Sequence, residues 1–246
     1  MQAMDKRILF IVTSNNRMGD TGRPTGIWAE ELAAPYYAFI DAGAEVEFAS
    51  PRGGAVPFDP GSLKPAGQND AVVERLLADP VAQRKLAATR AASDVNATDF
   101  DALFLPGGHG TMWDLPDDSG VTHAVETAFA AGKVVASVCH GAAGLVSARR
   151  PDGKPLVEGR QVNSFTDAEE TAAGLIDVVP FKLESRLREL GGRFDGAPNW
   201  QPHVVRDGQL ITGQNPKSSL LVADRVLDAL GLTKDKPLPE ESRPAP

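Results

Sequence analysis

The stretch Val134-Val-Ala-Ser-Val-Cys139-His-Gly141-Ala-Ala143 decides the fold class. Its apolar first half is typical of a strand that is covered on both faces in a parallel sheet. The strand runs straight into Cys139, the only cysteine of the chain, with small Ser137 two positions before it and Gly141 two positions after it. Small neighbours are needed at a nucleophile elbow, the sharp turn that projects a nucleophile over the carboxyl edge of a sheet. We therefore predict an α/β protein in which Cys139 is the nucleophile.

Strand and helix patterns alternate on both sides of this stretch. We predict strands at residues 8–13, 45–49, 102–105, 133–138 and near 209–212, and helices at 26–42, 121–131, 141–148, 181–190 and 218–230. Such alternation implies a mostly parallel sheet with helices on both faces. We expect one domain over residues 1–233, with a helical insertion at about 51–98, and a flexible, proline-rich C-terminal tail at 234–246.

Composition excludes several classes of function. The 25 basic residues are outnumbered by 33 acidic ones, for a net charge of −8, which argues against a nucleic-acid partner or an anionic membrane surface. A lone cysteine forms no intrachain disulfide, which suits a reducing compartment. The apolar run at residues 8–12 is too short for a signal-peptide core or a membrane span. We expect a cytoplasmic protein.

The thiol of Cys139 needs activation to act as a nucleophile. A free cysteine is only about 3% ionised at pH 7, so we predict that the amino end of the next helix and a nearby polar group lower its pKa well below 7. The segment Pro106-Gly-Gly-His-Gly110 follows a strand that ends at the same sheet edge. The backbone N–H groups of Gly108 and His140 would there form an oxyanion hole.

Carboxyl groups near this edge remain ambiguous from their spacing. Glu30 and Glu31 are adjacent on the first predicted helix, and either one could face inward. The segment 165–170 holds Asp167, Glu169 and Glu170 at a helix start, where capping is the ordinary role and orienting His140 is the alternative. Four scattered histidines show no paired spacing, so we predict no metal site.

Five motifs carry a resemblance to a known family. They are Thr25-Gly-Ile-Trp-Ala-Glu-Glu31, Pro106-Gly-Gly-His-Gly110, Val138-Cys-His-Gly141, Phe165-Thr-Asp-Ala-Glu-Glu170 and Thr212-Gly-Gln-Asn-Pro216. In this order and spacing the chain resembles the DJ-1/PfpI superfamily over about residues 6–232. Within it, the chain is similar to the glutathione-independent glyoxalase III branch, also described as heat-shock-protein-31-like chaperones.

The resemblance implies a flavodoxin-like three-layer sandwich with a glutamine-amidotransferase-like domain, a homodimer and no cofactor. It assigns a catalytic triad to Cys139, His140 and Glu170. It also selects Glu31, rather than Glu30, as the protonated acid that donates a hydrogen bond to the Cys139 thiolate. The two-histidine, one-carboxylate metal site of the larger bacterial chaperones has no visible equivalent in this sequence.

The reaction that the resemblance implies is the conversion of methylglyoxal, a small reactive carbonyl compound, to D-lactate, with deglycase or holdase activity in some relatives. Two alternatives stay open. One is a redox-sensing stress chaperone in which Cys139 is an oxidation sensor; the other is a PfpI-type cysteine protease. A glutamine amidotransferase would need a later His-x-Glu, and the sequence after His203 does not provide it.

Overall fold

The computed structural model describes residues 6–232, and the predicted tail at 234–246 lies outside the described residues. The strands are β1 (Arg7–Ile11), β2 (Glu45–Ser50), β3 (Arg90–Ala91), β4 (Ala102–Leu105), β5 (Val134–Val138), β6 (Gln161–Val162), β7 (Arg193–Phe194), β8 (Val204–Asp207) and β9 (Leu210–Gly213). The α-helices are α1 (Ala29–Asp41), α2 (Ala71–Ala78), α3 (Pro80–Ala87), α4 (Thr111–Asp114), α5 (Ser119–Ala130), α6 (Asp167–Ala172), α7 (Leu183–Glu189) and α8 (Ser219–Leu230).

Seven strands form the main sheet, in the order β3-β2-β1-β4-β5-β9-β8. Every neighbouring pair is parallel except β8–β9, which is antiparallel. The predicted mostly parallel sheet is therefore confirmed. Because β1, β4 and β5 lie side by side in the middle, the loops that leave their carboxyl ends meet at one edge.

Each face of the sheet buries its own hydrophobic core, which makes the molecule a three-layer sandwich. On β1, Ile8 and Phe10 point to the core under α1, α2, α3 and α8, whereas Leu9 and Ile11 point to the core under α5 and α7. Burial on both faces explains why the strands read as continuous apolar runs. At about 25 cal/mol per Å² of apolar surface, this double burial is the main favourable contribution to folding.

Several predicted elements differ in detail from the observed ones. The helix predicted at 141–148 is instead a 3₁₀ helix spanning Cys139–Leu145. Its two glycines have poor α-helical propensity, and a Cβ at Gly144 would press within 3.2 Å of the Leu105 side chain. The strands β3, β6 and β7 were not predicted, because two-residue strands have no readable period. The four-residue edge strand β8 was not predicted either.

Residues 51–98, predicted as a helical insertion, contain α2, α3, β3 and three single-turn 3₁₀ helices. α3 packs against β2 and α2 packs against α1, and their buried Leu86 and Leu76 belong to the same core as β1. Across residues 6–232, none of the helices has both the length and the apolar composition that a bilayer crossing requires.

Candidate active site

Cys139 occupies a strained turn at the carboxyl end of β5. Its backbone φ is 57°, a left-handed conformation that costs a non-glycine residue about 1–3 kcal/mol and is concentrated at functional sites. Gly141 must lack a side chain, because a Cβ there would collide with the Leu105 carbonyl oxygen. The turn leaves Cys139 only 3% exposed, at the base of a cavity.

The imidazole of His140 lies between the sulfur and a buried carboxylate. Its Nδ1 is 3.3 Å from the Cys139 Sγ, and its Nε2 is 2.6 Å from Oε2 of Glu170. The second Glu170 oxygen, Oε1, lies 2.7 Å from Nε2 of His109. A carboxylate that accepts from both rings fixes their Nε2–H tautomers, and this leaves Nδ1 of His140 free to accept the thiol proton.

The electrostatics of this cluster favour an ionised carboxylate and a neutral imidazole. Burial alone would raise the pKa of Glu170, but His140 and His109 more than offset it and hold that pKa well below its usual range. Burial lowers the pKa of His140, and a charge on His109 lowers it further, while Glu170 acts in the opposite direction. His140 is therefore a base at neutral pH.

On the other side of the sulfur, the Glu31 carboxyl is completely buried. Neither of its oxygens has a hydrogen-bond partner of normal geometry among the described residues, although the Cys139 thiol and the Gly107 backbone lie close enough to lower its pKa. Burial outweighs both neighbours and raises the pKa of Glu31 to about 8. Glu31 is therefore neutral at pH 7. Glu30 is only half-buried, and its charged neighbours include Asp70 rather than the thiol.

The same environment acts against our expectation of a thiol that ionises well below pH 7. Burial raises the pKa of Cys139, a charged Glu31 would raise it further, and the His140 backbone N–H acts in the opposite direction. The predicted helix dipole is also weaker than expected, since the helix after Cys139 is a 3₁₀ helix of seven residues. The contact that lowers the pKa of the thiol is the His140 backbone N–H, and we predict that the neutral Glu31 carboxyl adds a second hydrogen-bond donor.

The loop after β4 lines the cavity beside the sulfur. Gly108 has a φ of 110°, and a Cβ there would collide with the Gly26 carbonyl oxygen. The buried Thr111 hydroxyl bonds to the Gly108 carbonyl oxygen at 2.8 Å and to the His140 carbonyl oxygen at 2.9 Å. This shared contact fixes the spacing between the two residues that we predict to form the oxyanion hole.

Glu169 lies in the first turn of α6, whose N-cap is Thr166, one of the two N-cap candidates of the sequence, and it also accepts hydrogen bonds from two other loops. Its Oε2 accepts from the Thr166 backbone N–H at 3.0 Å and completes a capping box with Thr166. Its Oε1 accepts from Trp200 N at 2.8 Å, Gln214 Nε2 at 3.1 Å and Asn215 Nδ2 at 2.9 Å. Adjacent acids thus have different tasks: Glu169 fixes the framework, and Glu170 faces the imidazoles.

Comparison with known proteins identifies the family of this chain. The sequence profile described as the DJ-1/PfpI family matches residues 25–229. The chain belongs to the DJ-1/PfpI family.

One relative and two solved structures illustrate the likeness. The glutathione-independent glyoxalase HSP31 of Saccharomyces cerevisiae is 32% identical over 92% of this chain and 98% of its own. The crystal structure of glyoxalase III from Candida albicans has a TM-score of 0.83 and 29% identity over 91% of this chain and 97% of its own. The rapid encystment protein of Francisella tularensis has a TM-score of 0.87 and 36% identity over 92% and 99% of the two chains.

Sequence reasoning missed one residue of this DJ-1/PfpI site, His109. It lines the cavity, contacts Glu170, and its ring centroid lies 4.0 Å from that of His140. The only signal was its place in Pro106-Gly-Gly-His-Gly110, at the sheet edge that Cys139 shares. Spacing along the chain could not reveal it, because its partners are 31 and 61 positions away.

The sequence also predicted no metal site from its scattered histidines, yet the fold brings two of them together. Ligating atoms of His109, His140 and Glu170 all lie within 4.8 Å of one another. Two imidazoles and a carboxylate are a set that zinc accepts. In the described structure, however, both Nε2 atoms are bonded to the Glu170 carboxylate, and a metal would have to replace these hydrogen bonds.

Proposed function

We propose that this protein is a glutathione-independent glyoxalase, a lyase that converts methylglyoxal and water to D-lactate. The observation that carries the proposal is a buried cysteine on an elbow, 3.3 Å from an imidazole whose other nitrogen is held by an ionised carboxylate. The similarity to HSP31 of Saccharomyces cerevisiae and to glyoxalase III of Candida albicans, over more than nine-tenths of each chain, supports the choice of reaction.

The first step forms a carbon–sulfur bond. His140 Nδ1 takes the proton of the Cys139 thiol, and the sulfur attacks the aldehyde carbon, C1, of methylglyoxal. The aldehyde oxygen becomes an oxyanion beside the N–H groups of Gly108 and His140, then takes a proton to complete a hemithioacetal. A neutral Glu31 stabilises the sulfur before attack because it adds a donor without adding negative charge.

The second stage moves a hydrogen between neighbouring carbons. His140 removes the proton from C1, the electron pair forms an enediol, and a proton returns to C2. The product is a thioester of lactate on Cys139. Water then cleaves the carbon–sulfur bond, which releases lactate and restores the thiol. No redox partner is needed, because C1 is oxidised as C2 is reduced.

The deciding experiment incubates the purified protein with methylglyoxal in the absence of glutathione and added metal, and assays D- and L-lactate enantiospecifically. We expect D-lactate from the wild type and background levels from Cys139→Ala. Sulfinic-acid formation at Cys139 without any lactate would favour the redox-sensing chaperone, and casein hydrolysis that Cys139→Ala abolishes would favour the protease.

The implied homodimer and the cytoplasmic location stay predictions. Light scattering of the full chain tests whether the protein is a homodimer.

A further inference from the structure

We propose that the preferred substrates of this site are α-oxoaldehydes with a large, planar, apolar substituent, such as an aromatic ring, rather than methylglyoxal. This inference rests on the proposed function and names its substrate class. The chemistry is the same: the aldehyde carbon bonds to the Cys139 sulfur, hydrogen moves from C1 to C2, and water releases a 2-hydroxy acid. Only the group attached to the ketone carbon differs.

The size of the cavity is the first observation. It encloses about 410 Å³ above Cys139, within the range of pockets that bury most of a drug-sized ligand. Methylglyoxal, with a single methyl group, contacts only the few residues around the sulfur. A hemithioacetal of methylglyoxal would leave most of the cavity to water, whereas an aryl group would displace that water and gain apolar contacts.

The walls of the cavity are the second observation. A row of rings leads from the catalytic imidazole toward the surface: the Phe165 centroid is 4.4 Å from that of His140, and the Trp200 centroid is 5.6 Å from that of Phe165. Trp28, Leu175 and several other apolar residues complete the lining. Aromatic pairs attract each other beyond the area they bury, so a planar ring is favoured over an alkyl chain of equal size.

Trp200 is held in place before any substrate arrives. Its backbone φ of 65° is left-handed, and its backbone N–H donates to the buried Glu169 carboxylate at 2.8 Å. The residue lines the cavity and is 40% exposed, so part of its side chain is open to a ligand. A held backbone and a ring that packs on Phe165 lower the entropic cost of binding a second ring at this wall.

Polar groups in the outer cavity are few or already engaged. The Asp59 carboxylate accepts from the Thr25 hydroxyl and from the Gly61 N–H, each at 2.8 Å. Arg23 is exposed at the rim. The groups that can bond a carbonyl compound are therefore concentrated around the sulfur, and the outer part selects for apolar shape.

The test compares phenylglyoxal, which would give mandelate, with methylglyoxal, which would give lactate. The rates are corrected for the background of Cys139→Ala, because phenylglyoxal also modifies arginine. We expect kcat/KM for phenylglyoxal to exceed that for methylglyoxal at least tenfold, mainly through a lower KM. Lactate formation with an equal or lower kcat/KM for phenylglyoxal would overturn this inference and leave the proposed function standing. Absence of both acids would overturn both.

Two variants locate the preference in the cavity. Trp200→Ala removes the outermost ring and should lower the ratio of the two kcat/KM values about tenfold. Ala173→Phe fills the cavity from an exposed position that also lines it, so it should lower the same ratio without disturbing the core. Leu220→Ala, 54% exposed on α8, is the control that should leave the ratio unchanged. An unchanged ratio in both cavity variants would contradict the assignment of the preference to these walls.

Discussion

Two buried carboxyl groups flank the Cys139–His140 pair, and their surroundings leave one of them ionised and the other neutral. Glu170 lies between two imidazole N–H groups at 2.6 and 2.7 Å and is ionised. Glu31 is as deeply buried, but no described residue offers either of its oxygens a hydrogen bond of normal geometry, and its pKa rises to about 8. Burial favours the neutral acid in both cases, so the facing donors decide the outcome.

This difference divides the work of the proposed reaction. The ionised Glu170 fixes the tautomer of the proton-carrying imidazole. The neutral Glu31 gives the sulfur a hydrogen-bond donor and no negative charge. Pairs of titratable groups whose surroundings separate their pKa values are a general indication of distinct acid and base roles.

The largest expected effect tests the Glu170 side of the comparison. His140→Ala should lower kcat by about 10²–10⁴-fold, the usual contribution of a positioned acid–base group, and Glu170→Ala should lose a large part of the same factor. Because both act through one imidazole, their effects should not multiply. We expect the double variant to be scarcely slower than His140→Ala alone, measured by steady-state lactate formation.

A metal at the His109–His140–Glu170 cluster would change this expectation. Treatment with a chelator should leave the wild-type rate intact if Glu170 acts by hydrogen bonding alone. Multiplicative losses in the double variant, or inactivation by a chelator that added zinc reverses, would contradict the proton-shuttling unit.

The Glu31 side is tested by the ionisation of the thiol. Glu31→Ala removes a neutral donor, and a hydrogen bond to a charged group contributes about 1.5–3 kcal/mol. The midpoint of Cys139 alkylation against pH should therefore rise by about one to two units. Glu31→Gln keeps a neutral donor, so its alkylation midpoint should lie between those of the wild type and Glu31→Ala. In the wild type we expect activity to fall above pH 8 as Glu31 ionises. Glu31→Gln cannot ionise and should not show this fall.

Glu30→Ala is the matched control, since Glu30 is the neighbouring acid on the same helix and is not beside the thiol. A lower alkylation midpoint in Glu31→Ala would mean that Glu31 acts as a negative charge on the sulfur. A large change in the Glu30 variant with a normal Glu31 variant would mean that the wrong acid has been assigned.

The sequence predicts the fold well where one physical signal dominates. The apolar runs of β1, β4 and β5 are continuous because both faces of the sheet are covered, and the small residues around Cys139 are demanded by the elbow. By contrast, the two residues of β3 and the 3₁₀ helix after Cys139 depend on packing against distant segments, and no local pattern encodes them.

The site shows the same limit at the level of single residues. Neighbouring carboxyls such as Glu169 and Glu170 have identical local propensities, and only the loops that reach them decide which one caps and which one faces an imidazole. The raised pKa of Cys139 is also beyond sequence reasoning, because it depends on complete burial rather than on the residues next to the cysteine.

His109 offers the smallest and most discriminating test of the comparison, because it is one of the two donors that make Glu170 differ from Glu31. A charge on His109 lowers the pKa of His140, so the neutral variant His109→Gln should raise that pKa. The acid limb of the pH profile of kcat/KM reports the pKa of the essential base in the free enzyme, so it should move to higher pH. Most of the rate should survive, because Glu170 keeps its hydrogen bond to His140. His123→Gln, at an exposed position of α5, should leave the profile unchanged. An acid limb that does not move in His109→Gln would mean that His109 does not influence the ionisation of His140 and serves only to line the cavity.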